Sequence, residues 1–90
     1  MKLKEDLLLR KVAGMWVVVP VREMSISFNG MVSLNDSGAL LWRTLEGGAD
    51  REKLIAALQE EYEVEKDAAA ADVEAFLSTL RGAGLLEEDL

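Results

Sequence analysis

The sequence has no cysteine, no histidine and a single proline. Without cysteine there are neither disulfides nor thiolate metal sites. Without histidine the chain lacks the commonest general base at neutral pH and the commonest zinc ligand. Ser25, Ser27, Ser33, Ser37 and Ser78 therefore have no imidazole to activate them. Nucleophile elbow, Walker loop and dinucleotide fingerprint are all missing, so no catalytic residue and no cofactor is assigned. Carboxylates cluster in Glu60–Glu65 and Glu87–Asp89. Neither run has the glycine- and asparagine-bearing loop that wraps oxygen ligands around calcium, so both read as solvated helix ends rather than metal sites. Long apolar runs are missing too: nothing approaches the roughly 20 residues that cross a bilayer. Asp6 and Arg10 bracket Leu7–Leu9 too tightly for a signal peptide, and the chain reads as cytoplasmic, with no membrane partner. Cations are scarce as well. Ten basic residues against seventeen acidic ones give a net charge of −7, which argues against a polyanionic partner, because binding one needs cationic side chains to displace counterions from phosphates.

What is present suits one small α+β domain spanning residues 1–90: half the residues are apolar and 30% are charged. The hydrophobic period changes near Asn35. Before it come short β-branched runs: Leu7–Val12, a turn at Ala13-Gly14, then Met15–Val19 ended by Pro20, which has no N–H for a ladder. Ser25–Phe28 and Met31–Leu34 flank Asn29-Gly30, the strongest short hairpin signal. After Asn35 the spacing predicts three helices. The first is capped within Asn35–Ser37, carries Leu41, Trp42 and Leu45 and stops at Gly47-Gly48. The second starts at Asp50 with Leu54, Ile55, Leu58 and Tyr62. The third runs from about Lys66 with Ala69, Val73, Phe76, Leu77 and Leu80, and ends at Gly84, past which Leu85 packs back on Leu80 in a Schellman arrangement.

Three surfaces stand out as places for a partner. Leu7–Leu9 and Met15–Val19 put apolar residues on both faces of the sheet. Three helices cover one face, and the other is either a partner or dimer surface or is covered by Val21–Ser27 or the N-terminus. Met31–Leu34 either lies at a sheet edge, where an extended peptide can add as a strand, or is an interior strand of a plain meander. The stripe Val73, Phe76, Leu77 and Leu80 is core material that can also leave its margin open as a groove wall.

The segment Phe28–Gly38, read with Leu41-Trp42, resembles the join between sheet and first helix in the PqqD-like family. LRKVAGMWVVVP at residues 9–20, LIAALQEEYEV at 54–64 and ADVEAFLSTLRGAGLLE at 71–87 follow the same family's order and spacing, so the likeness runs from about Glu5 to Glu87. The resemblance implies a winged helix-turn-helix: a three-stranded antiparallel sheet, then three helices. Val21–Asn29 is longer than the turn of the shortest members and has room for an extra short strand. The resemblance also implies a function. Such a domain grips the leader of a ribosomally made precursor peptide and presents it to a modifying enzyme, often a radical S-adenosylmethionine enzyme. The leader joins the sheet beside the third strand, which maps to Met31, Val32, Ser33 and Leu34. Its apolar side chains enter a groove beside the third helix, which maps to Val73, Phe76, Leu77 and Leu80.

Two other readings remain at this stage. A winged helix suggests DNA, yet the third helix offers only Lys66 and Arg81 near its ends, with Asp67, Asp72 and Glu74 among them, whereas reading base edges takes Arg, Lys, Asn or Gln. The alternative is an accessory subunit that docks on a larger enzyme through the second sheet face. Dimerisation stays open.

Overall fold

Strand-forming residues at the N-terminal end and helical stripes after Asn35 produce two layers. The computed structural model describes residues 1–4, 6–21 and 32–87. Strands β1 (Lys2–Leu3), β2 (Leu7–Val12), β3 (Met15–Pro20) and β4 (Val32–Leu34) precede helices α1 (Asp36–Glu46), α2 (Arg51–Tyr62) and α3 (Lys66–Ala83), and a short β5 (Leu86–Glu87) closes the order. Strands β2, β3 and β4 form an antiparallel sheet in that order, so among the described residues β4 is an edge strand. The expected strand at Ser25–Phe28, the Asn29-Gly30 turn and Met31 lie outside the described residues.

The β2–β3 turn follows from two residues. Ala13 and Gly14 both have positive φ, 52° and 83°. That is the requirement of a type I′ connection, whose twist matches that of the strands. Register then fixes the faces. Leu7, Leu9, Val18, Val32 and Leu34 point at the helices and pack with the core, where Val18 is completely buried.

Each helix starts and stops where its chemistry directs. Asn35 Oδ1 accepts from the Gly38 N–H at 2.8 Å, and Asp50 Oδ1 accepts from the Lys53 N–H at 2.8 Å, satisfying donors that a helix N-terminus leaves unpaired. At the end of α3, Gly84 takes φ 74°, its N–H donates to Arg81 O at 3.1 Å, and the Leu85 N–H donates to Leu80 O at 2.9 Å. This is the Schellman pattern expected from the sequence, with Leu85 fully buried against the core.

The core is where the helical stripes meet. Leu41, Trp42 and Leu45 from α1, Leu54, Ile55 and Leu58 from α2, and Ala69, Val73, Phe76, Leu77 and Leu80 from α3 form one cluster with Val18. Burying a large apolar side chain contributes about 1.5–3 kcal/mol, so this cluster dominates the stability of so small a chain. Tyr62, at the end of the α2 stripe, stays exposed. No signal in the sequence marks the pairing of β1 with β5, where Lys2 lies opposite Glu87 and Leu3 opposite Leu86. Two-residue strands are too short to show a period.

Candidate functional site

The exposed side of β4 borders a groove, and the sequence around Asn35 explains how it forms. Because the cap follows the strand immediately, α1 begins directly beside β4. Ser37 Oγ also donates to Asn35 Oδ1 at 3.0 Å, tightening the corner. Gly38 allows the close approach: a Cβ there would lie 3.1 Å from Asn35 Oδ1 and 3.2 Å from Leu34 Cβ. Trp16 secures the same corner from the next strand. It pairs with Leu34, and its Nε1–H donates to Asp36 Oδ1 at 3.1 Å. The Arg43 guanidinium lies 4.7 Å and Lys11 Nζ 5.2 Å from the Trp16 ring centroid, both within cation–π range.

The far wall is α3. Asp72, Ala75, Phe76 and Thr79 succeed one another at helical spacing and face Ser33 and Leu34 across an open depression of about 310 Å³. A second depression of about 540 Å³ continues it past Asn35, Ser37 and Asp72 towards Leu58, Tyr62 and Val64. Together they make a channel with an edge strand on one side, a helix on the other and a mixed apolar and polar floor. An extended chain laid along it would find main-chain hydrogen-bonding groups on β4 and shaped surface on α3.

The structure distributes the sequence-derived candidates unevenly. Ser33 and Leu34 line the groove, and Val32 packs half-buried against the core beneath it. Met31 lies outside the described residues. From α3, Phe76 lines the groove while being largely buried, so it serves both groove and core. Val73, Leu77 and Leu80 are buried in the helical cluster and are not among the groove's lining residues. The groove-facing positions of α3 are instead Asp72, Ala75 and Thr79, one row round the helix from the apolar stripe. Hydrophobic periodicity passes over them because they are small or polar. Their spacing at i, i+3 and i+7 with Phe76 at i+4 was the signal available. Among the described residues no group of His, Cys, Asp or Glu is arranged to hold a metal ion.

This fold, a three-stranded antiparallel sheet feeding three helices, with a strand edge that is open among the described residues and faces the last helix, defines a winged-helix domain with a groove. The family description "Coenzyme PQQ synthesis protein D (PqqD)" matches residues 15–86, and the chain belongs to that family. Two solved structures share the fold. One, described as "TbiB1 in Complex with the TbiA(beta) Leader Peptide", has a TM-score of 0.77 at 23% identity and covers 100% of this chain and 99% of its own. The other, "Lasso peptide synthetase B1 complexed with the leader peptide", has a TM-score of 0.74 at 24% identity over 97% and 96% of the two chains. No curated protein matches the sequence.

Proposed function

We propose that this chain is a non-catalytic peptide-recognition domain, formed by residues 1–90. It binds the leader of a ribosomally synthesised precursor peptide and presents it to a modifying enzyme, a radical S-adenosylmethionine enzyme in the leading case, in the cytoplasm. The observation that carries this reading is that edge strand β4 and helix α3 border one open groove. Strand addition explains the pairing of these two features: backbone hydrogen bonds to Val32–Leu34 set the register, and Phe76, Ala75 and Thr79 select among side chains. Family membership and the leader peptides bound by both structural relatives support it. The charge pattern supports it against DNA. Of the cations on α3, Lys66 lies 3.8 Å from Glu52, and Arg81 sits in the last turn, while Asp67 occupies the first turn and Asp72 the groove wall.

The test is a titration of isotopically labelled protein with the synthetic leader of a candidate precursor peptide. The amides of Ser33 and Leu34 and of Ala75–Thr79 should shift most. Binding that leaves those amides unmoved would refute strand addition at β4.

A further inference from the structure

On the opposite side of the sheet from the helices lies a second surface that the groove does not use. Antiparallel partners point to the same face. The register therefore places Leu8, Arg10 and Val12 of β2 with Val19, Val17 and Met15 of β3 on the outer face. The central Val17 is buried there, Val19 is half-buried, and the apolar exposure lies at the two ends of the row. Val21 continues the row, its N–H donating to Asp6 O at 3.0 Å. Leu8 is 44% exposed, Val12 50%, Met15 56% and Val21 52%. Among the described residues the only other exposed large apolar side chain is Tyr62. Exposed apolar residues scattered singly are ordinary; a set gathered on one face of one hairpin marks an interaction surface.

Charge identifies the kind of partner. Arg10 and Lys11 are the only charged residues from Leu7 to Val21, in a chain whose net charge is −7. Lys11 lies over Trp16 on the helix side. Arg10 sits in the middle of the outer face, opposite Val17, exposed and with no hydrogen bond or ion pair among the described residues. A second copy fits poorly. A two-fold arrangement of this face brings the two Arg10 side chains towards one another. Setting it on the acidic helical side of another copy is head-to-tail, which builds rings or open filaments rather than a simple pair. A cation enclosed by an interface needs a carboxylate partner, and arginine and methionine are enriched in such interfaces.

We infer that the outer face of the β2–β3 hairpin docks a different protein, through an apolar surface that carries a carboxylate opposite Arg10. That protein is the enzyme that modifies the peptide held in the groove; its identity rests on the peptide-presenting reading above. The placement suits a ternary complex. The groove lies at the β4 edge and under α3, while the docking face centres on β2 and β3, so enzyme and leader occupy different sides of one small domain.

The test uses the full chain, its precursor leader, and the enzyme whose action on that precursor requires this chain. Enzyme affinity is read by interferometry and leader affinity by fluorescence anisotropy. Val12→Glu/Met15→Glu should weaken enzyme binding by about 30-fold or more while leader affinity stays within about twofold. Arg10→Glu should weaken it about tenfold and flatten its dependence on salt. Because Arg10 is exposed and has no hydrogen bond or ion pair among the described residues, this single change decides the matter if the double variant fails to fold. Enzyme affinity unchanged in Arg10→Glu and in a folded double variant would overturn the docking face. So would loss of enzyme binding in a groove variant, Ala75→Arg, with none in the hairpin variants. Failure of the wild-type chain to bind leader, by contrast, counts against the peptide-presenting reading and leaves the enzyme measurements to judge the face.

Discussion

In the helical layer Leu41, Trp42, Leu54, Leu58, Leu77 and Leu80 are sealed from solvent, whereas on the β2–β3 hairpin Leu8, Val12, Met15 and Val21 stand about half exposed. Charge divides along the same line: the hairpin carries only cations, whereas the helices carry more carboxylates than cations. Similar side chains thus meet different demands. The helical stripes exist to exclude water and set the free energy of folding. The exposed residues of the hairpin's outer row contribute little to that, and their apolar area is what the proposed partner would cover. The groove lies between these regimes, one wall from the sheet and one from the helices, and Phe76 belongs to both core and groove.

The sharpest way to break this contrast is to truncate one residue from each region. Leu80→Ala should cost about 2–5 kcal/mol, because Leu80 is fully buried in the cluster and its removal leaves a cavity. Met15→Ala should fall within about 0.5 kcal/mol of the parent, as expected for a surface position. Urea denaturation of both variants measures the difference. A loss for Met15→Ala comparable to that for Leu80→Ala would show that the hairpin's outer row belongs to the core.

A smaller effect separates the groove from both regions. Ala75 and Thr79 are exposed on the groove side of α3. Ala75→Arg keeps a good helix former but puts a long side chain into the channel. Leader affinity should drop by about tenfold or more, equivalent to about 1.4 kcal/mol, while the urea midpoint barely moves. Val73→Ala, one row round, should do the reverse: it destabilises the fold and changes leader affinity only as far as folding is lost. Calorimetric titration beside denaturation distinguishes the two patterns.

The same division explains what could be read from the sequence. The three helices, their caps at Asn35 and Asp50 and the Schellman ending at Gly84-Leu85 all carry local signals, and each forms where those signals stand. Strands β2 and β3 were legible from β-branched runs and Pro20. The edge position that β4 holds among the described residues was not, because whether a strand pairs on one side or both depends on topology rather than on its own residues. The groove wall was legible only through Phe76. Hydrophobicity selects Val73, Leu77 and Leu80, which the helix turns towards α1 and α2, and passes over Asp72, Ala75 and Thr79, which it turns towards β4. Large apolar stripes report the core; a groove on its margin is written in the smaller residues beside them.

The smallest expected effect is a gain and lies in the hairpin turn. Ala13 holds φ 52° in a type I′ connection, a left-handed conformation that costs an ordinary L-residue about 1 kcal/mol. Asparagine tolerates that region and is favoured before glycine in this turn, so Ala13→Asn should relieve part of the strain. Ala13 is exposed, which leaves room for the larger side chain. Stability should rise by about 0.5 kcal/mol, seen as an increase of a few degrees in melting temperature. Leader affinity should not change, because neither turn residue lines the groove, although Trp16, two residues past the turn, pairs with Leu34. If stiffening the turn also tightened leader binding, hairpin and groove would be mechanically coupled, and the division between a surface for the enzyme and a channel for the peptide would fail.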